Sequence, residues 1–149
     1  MAVTMPERHP MAPKPGEEIP SHLAMCFGCG KDHPTGLHMK SIAGEGLTAT
    51  CEFTVTDMHQ GAPGLAHGGL LSLAFDEALG KLMYLLQVPA VTGHLETDFL
   101  KPIPVGSTLF INARITGQER RKVFTEAEGR LNSVDGELAL KASALYVIV

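Results

Sequence analysis

The chain has 149 residues, 44% of them hydrophobic and 19% charged, with 12 basic and 16 acidic residues for a net charge of −4. That is the size and composition of one globular domain, which excludes a fibre, a coiled coil or a wholly disordered chain. The acidic balance, with two Tyr, six Phe and no Trp, supplies neither a basic face nor a stacking platform, so nucleic acid is not an expected partner.

Residues 1–21 contain five prolines (Pro6, Pro10, Pro13, Pro15, Pro20) and almost no large apolar residue, so a flexible arm is expected there. The arm has no apolar run of the kind a signal peptide needs. Residues 22–149 read as a single domain, opening with a loop-rich segment over 22–46 that is dense in Gly, Cys and His. The run LTATCEFT, 47–54, alternates with a period of two, which predicts a half-buried strand. A Gly-rich connection follows. Residues 69–87, GLLSLAFDEALGKLMYLLQ, then form a long proline-free stretch that is apolar on nearly every side, the pattern of a helix buried by its surroundings. Glu77 and Lys81, four apart, are expected to form its one wet stripe, and Pro89 stops it.

Everything after Pro89 reads as strands: VTGHLETDFL, STLFINARITG, VFTEAEGRLN and LALKASALYVIV, separated by KPIPVG, by the charged turn QERRK and by NSVDGE. Short turns imply antiparallel pairing. One helix on one face of an antiparallel sheet is an α+β architecture, and a helix so apolar requires a sheet that curls around it. No stretch is long and apolar enough to span a bilayer; the best, 61–75, contains His67. Three cysteines make an odd count that fits a reduced, cytoplasmic chain better than a disulfide framework.

The chemistry concentrates between Gln60 and Gly80. Gly68 and Gly69 stand where the helix starts, so a ligand can approach the backbone closely. The free N–H groups there, with the positive end of the dipole, suit a developing oxyanion. Asp76 is the odd residue, a carboxylate midway along an apolar helix, where an unpaired charge is unfavourable. It is the candidate general base or nucleophile, in preference to Glu77. Asp76 follows His67 by nine positions, which is about 900° of rotation and about 13 Å of rise. The glycine turn and Asp76 of one chain therefore do not share one small site. A two-fold dimer, each site taking the glycine turn from one chain and the aspartate from the other, is the simplest repair.

His67-Gly68-Gly69, the spaced Asp76, the buried helix, Thr92 and Phe99-Leu100-Lys101-Pro102-Ile103-Pro104 together resemble the acyl-CoA thioesterases of the hot-dog superfamily, PaaI-like branch, of the thioesterase superfamily member four type. The resemblance runs from Leu47 to Val149 and implies a single hot-dog domain that hydrolyses acyl-CoA to free acid and CoA without metal or organic cofactor. It implies composite sites in a homodimer and leaves open whether dimers pair further. It aligns Thr92 with the family's site hydroxyl, which orients water or the carboxylate, and lets His67 either hold the glycine turn or polarise the thioester. Many PaaI-like enzymes carry Asn six residues before the His. Here Gly61 stands there, and the neighbouring Gln60 is the candidate amide. Arg120, Arg121 and Lys122 form a basic turn suited to CoA phosphates. The alternative is a non-catalytic acyl-CoA-binding or scaffold protein on the same fold. Cys26 and Cys29 supply two of the four ligands a zinc site wants, and His22, His33 or His38 could add more. No second CxxC exists, however, and no metal is expected.

Overall fold

The structure is a computed structural model that describes residues 2–149. Seven strands form one antiparallel sheet: β1 (Glu18–Ile19), β2 (Ser41–Ala43), β3 (Thr48–Thr54), β4 (Ala90–Phe99), β5 (Thr108–Glu119), β6 (Lys122–Leu131) and β7 (Leu138–Ile148), in the order β1-β2-β3-β5-β6-β7-β4. Helix α1 (Gly68–Gly80) and the short α2 (Met83–Leu86) lie between β3 and β4 in the chain. The alternating patterns fall on β3 and β4 to β7 as expected, and the two tight turns join β5 to β6 and β6 to β7. The helix connection carries the chain from β3, at one side of the β5-β6-β7 block, across to β4 at the far edge.

Leu71, Ala74, Phe75, Ala78 and Leu79 of α1 are buried, at the three- and four-residue spacing that makes one face. They pack with the alternate inward residues of β3, β5, β6 and β7, among them Phe53, Ile111, Val123, Ala127 and Leu140, to form one core. No helix among the described residues is long and apolar enough to cross a membrane.

Three features depart from the sequence reading. The expected single helix over 69–87 tightens after Gly80: the N–H of Leu82 bonds the carbonyl of Leu79 and that of Tyr84 bonds Lys81, three residues back instead of four. This tightening separates α2 from α1. Part of the expected flexible arm is laid against the domain: Ile19 is 1% exposed, Thr4 exchanges backbone bonds with Gln118, and the Arg8 guanidinium donates to the carbonyls of Gly44 and Gly46. One large apolar side chain and one long cation suffice to anchor it. Glu77 and Lys81 are not a wet stripe, because the opening segment covers them: their side chains are only 12% and 4% exposed, and Lys81 Nζ donates to the Pro20 carbonyl at 2.7 Å.

Close approach of helix and sheet rests on Gly129 in β6. A Cβ there would lie 2.6 Å from Phe75 Cζ, whose ring is fully buried. Gly129→Ala is therefore expected to lower stability by about 1–3 kcal/mol, the range for overpacking a core. Urea unfolding should show that loss, with partial recovery when Phe75→Leu is added. A neutral Gly129→Ala would mean that the helix rides farther from the sheet.

Candidate active site

Asp76 sits half-buried on α1, on the side turned toward the edge strand β4. Two hydroxyls converge on one of its oxygens. Tyr146 donates to Asp76 Oδ1 at 2.6 Å, and also to the Asp76 carbonyl at 2.9 Å; Thr92 donates to the same Oδ1 at 2.9 Å. Oδ2 has no hydrogen-bond partner among the described residues. Thr92 and Tyr146 are directly paired across β4 and β7, so the sheet register itself brings the two donors together. Burial first, and then the Asp76 charge, hold the Tyr146 hydroxyl protonated far above the ordinary tyrosine range, so it stays a donor at any working pH.

A bulge in β4 makes this arrangement possible. The register shifts between Thr92 and His94, with Gly93 as the extra residue. Beyond it Leu95 packs on the core and Thr97 bonds Ser72 of α1 at 3.3 Å, so the odd-numbered residues face the helix. Without the shift Thr92, an even position, would face away. Asp76, Thr92 and Tyr146 line an open cleft of about 720 Å³ with Glu77, Gly80, Tyr84, Ala90 and Val149.

The start of α1 is a different place. His67 is the N-cap, and its Nδ1 accepts from the Gly69 N–H at 2.9 Å. The expected pair of oxyanion donors is thus reduced, because Gly69 N–H is already engaged. A Cβ on Gly69 would lie 3.2 Å from the His67 ring, so this glycine makes room for the cap. Gly68 is otherwise: its N–H has no partner among the described residues, and a Cβ there would meet only the Phe99 ring, at 3.6 Å. Nothing in the fold demands a glycine at 68, which leaves the approach of a ligand as its physical rationale. The LKPIP segment shapes this end of the helix: Ile103 is 2% exposed and its carbonyl accepts from Ala66 N–H, just ahead of His67. Gly68, His67, Leu71, Phe99 and Lys101 line a cleft of about 610 Å³ that shares no residue with the Asp76 cleft.

Gln60 is used differently from the sequence reading. Its Oε1 accepts from Gly64 N–H at 2.7 Å and its Nε2 donates to the Asp57 carbonyl at 2.9 Å, so both ends of the amide hold the loop in place. Arg120, Arg121 and Lys122 form the β5–β6 turn and line neither cleft; the Arg121 carbonyl accepts from Ile148 N–H, which ties the turn to the end of β7. Tyr146 escaped the sequence reading. Its only signal was a polar-tipped aromatic at an inward position of the last strand, and its partner follows from a strand pairing that local pattern does not reveal.

A family model described as the thioesterase superfamily matches residues 63–135. The acyl-coenzyme A thioesterase THEM4 of Xenopus laevis is 32% identical over 97 residues, which are 65% of this chain and 43% of that protein. The chain spans less than half the length of that protein and of its Bos taurus counterpart. Among solved structures, a thioesterase superfamily protein aligns with a TM-score of 0.76 at 22% identity, covering 83% of this chain and 60% of that one. The PaaI protein of the E. coli phenylacetic acid degradation operon aligns with a TM-score of 0.69 at 21% identity, covering 76% and 80%. The protein smu.793 of Streptococcus mutans, bound to acetyl CoA, gives 0.68 at 21%, covering 74% and 88%. These likenesses establish the hot-dog fold.

The capping geometry carries its own prediction. His67→Ala should lower stability by about 1 kcal/mol through loss of the N-cap acceptor. His67→Asn, which keeps an acceptor at that position, should stay close to the parent in urea unfolding. Equal losses in both variants would show that the imidazole is held for another reason.

Proposed function

We propose that this chain, which a thioesterase-superfamily model matches over residues 63–135, is an acyl-CoA thioesterase in which Asp76 drives attack on the thioester carbonyl and Gly68 N–H, at the start of α1, receives the developing oxyanion. The observation that carries the reading is the pair of hydroxyls on Asp76 Oδ1, which hold the carboxylate while leaving Oδ2 free to work. A carboxylate oxygen so placed can take a proton from water or attack the carbonyl itself. The oxyanion that results is best met by an unengaged helix N-terminal amide, where the dipole adds to the hydrogen bond. The CoA thioester as substrate class is supported by the names of the relatives and by the acetyl CoA bound to the Streptococcus mutans protein.

The two clefts are completed by a second copy of the chain. β4 is an edge strand of ten residues with Val91 and Phe99, and Leu100 just beyond its end, about half exposed, a long free edge that natural proteins rarely leave bare. Antiparallel pairing of two β4 strands, centred between Leu95 and Glu96, sets Thr92 opposite the partner's Phe99. Thr92 holds Asp76, and Phe99 is the residue nearest to a Cβ on Gly68. A two-fold axis at that centre therefore brings Asp76 of one chain toward the partner's Gly68, and builds two equal sites. Arg120, Arg121 and Lys122 would serve the CoA phosphates only from outside the two clefts, whose linings contain none of them.

Steady release of free thiol from a panel of acyl-CoAs tests the assignment. Asp76→Ala should fold and lose at least about 100-fold in rate, as removal of a base or nucleophile does. Thr92→Val and Tyr146→Phe should each lose about tenfold, the scale of one hydrogen bond to a charged group. Glu77→Gln should change the rate little. Tight acyl-CoA binding with no thiol release by the parent chain would favour the non-catalytic alternative, and a larger loss in Glu77→Gln than in Asp76→Ala would move the chemistry from Asp76 to Glu77.

A further inference from the structure

The cover over Glu77 has a composition that packing alone does not explain. His22, Cys26 and Cys29 of the opening segment bring one nitrogen and two sulfurs within 4.8 Å of one another. Cys29 Sγ lies 3.9 Å from His22 Nδ1, and Cys26 Sγ lies 3.9 Å from Glu77 Oε2. Around a tetrahedral zinc with bonds of about 2.3 Å to sulfur and about 2.0 Å to nitrogen or oxygen, donor atoms stand about 3.3–3.8 Å apart. The Cys29–His22 and Cys26–Glu77 spacings need to close by only a few tenths of an ångström, and the remaining donors draw in from within 4.8 Å for the His22, Cys26 and Cys29 group and from farther for Glu77.

Glu77 is placed to be the fourth donor. It reaches the cysteine pair because the residue between them is Gly28, where a Cβ would lie 2.4 Å from Glu77 Oε2. Its Oε1 is buried with no hydrogen-bond partner, and Lys81 Nζ, 3.9 Å away, directs its bond to the Pro20 carbonyl instead. A buried carboxylate oxygen lacking a hydrogen-bond donor is unfavourable, and the Lys81 ammonium at 3.9 Å supplies charge compensation but no hydrogen bond to Oε1. His33 and His38, the other histidines of the segment, are engaged elsewhere: His33 packs edge-on against Phe27 and its Nδ1 accepts from Thr35 N–H, and His38 Nε2 bonds the His33 carbonyl.

We propose that His22, Cys26, Cys29 and Glu77 form a structural zinc site that fastens the opening segment to α1, one residue from Asp76. Two sulfurs with one nitrogen and one oxygen are a borderline-soft set that suits zinc over magnesium or calcium. Four protein ligands leave no open position, so the ion would serve stability and not catalysis. Two thiolates and one carboxylate exceed the charge of the ion by one, and buried Lys81 beside Glu77 balances it. The proposal replaces the expectation of no metal, which rested on the absence of a second CxxC. The missing donors come from a histidine upstream and from a helix some fifty residues downstream.

The test uses the whole chain, purified under reducing conditions without chelator and checked by circular dichroism. Elemental analysis should find one zinc per chain, and the double variant Cys26→Ser, Cys29→Ser should retain less than about a tenth of that. Because the double variant could unfold, the parent is also stripped and reloaded with cobalt. The expected spectrum has the intense visible bands of a four-coordinate ion together with thiolate-to-cobalt charge transfer. Glu77→Gln should keep the charge-transfer bands while affinity falls by at least about tenfold. The proposal is overturned if the folded, fully reduced parent takes up no zinc from one added equivalent. It is equally overturned if cobalt gives a weak six-coordinate spectrum without charge transfer, if the folded double variant keeps its zinc, or if Cys26 and Cys29 are isolated as a disulfide under the same conditions.

Discussion

A carboxylate halfway along a helix that otherwise buries apolar residues is an unfavourable placement that the rest of the protein has to compensate. Here the compensation is two hydroxyls on a single oxygen: Tyr146 from β7 and Thr92 from β4 both donate to Asp76 Oδ1. Much of the architecture is needed for that meeting. Tyr146 and Thr92 must be cross-strand partners, and the bulge at Gly93 must turn Thr92 toward the helix. The depth at which α1 sits is in turn set by Phe75 against Gly129. Satisfying one oxygen twice leaves the other free, the feature on which the proposed reactivity rests.

The same helix separates the two halves of the proposed chemistry. Its first amide and its carboxylate lie eight residues apart, about 12 Å along the axis, in clefts that share no residue. In the proposed chemistry the helix end activates the carbonyl and the aspartate flank supplies the base, and within one chain the two are too far apart to act on the same carbonyl. The long free edge of β4 lies between them in the sheet, and pairing it with a second β4 removes two liabilities together: an exposed strand edge and two incomplete clefts. In this account the dimer is part of the catalytic machinery.

The sequence conveyed the strands well because their alternation is local: β3 and β4 to β7 fall within a residue or two of the patterned runs. Asp76 was legible as an anomaly of polarity, and Gly68 as an anomaly of residue size at a helix start. What stayed hidden depends on contacts between distant segments. Tyr146 acquires its role only from the β4–β7 register. The i, i+4 spacing of Glu77 and Lys81 suggests a solvated pair, yet the segment around Gly28 buries them, and no periodicity in α1 foretells that cover. Gly69 looked equivalent to Gly68 until the His67 ring was seen to occupy its N–H. Gln60 looked available until its loop was seen to need both ends of its amide.

The central claim, that a working site joins Asp76 of one chain to Gly68 of another, is tested most directly by mixing two inactive chains. Gly68→Val blocks the helix-end amide and Asp76→Ala removes the carboxylate; the two are unfolded together in equal amounts and refolded. Random pairing makes about half of the dimers mixed, because a two-fold interface is the same in both variants. Each mixed dimer holds one site with both defects and one with none. About a quarter of the parental thiol-release rate should therefore return from two inactive variants. Activity that stays at the background of either variant alone, with mixed dimers confirmed by mass, would contradict it.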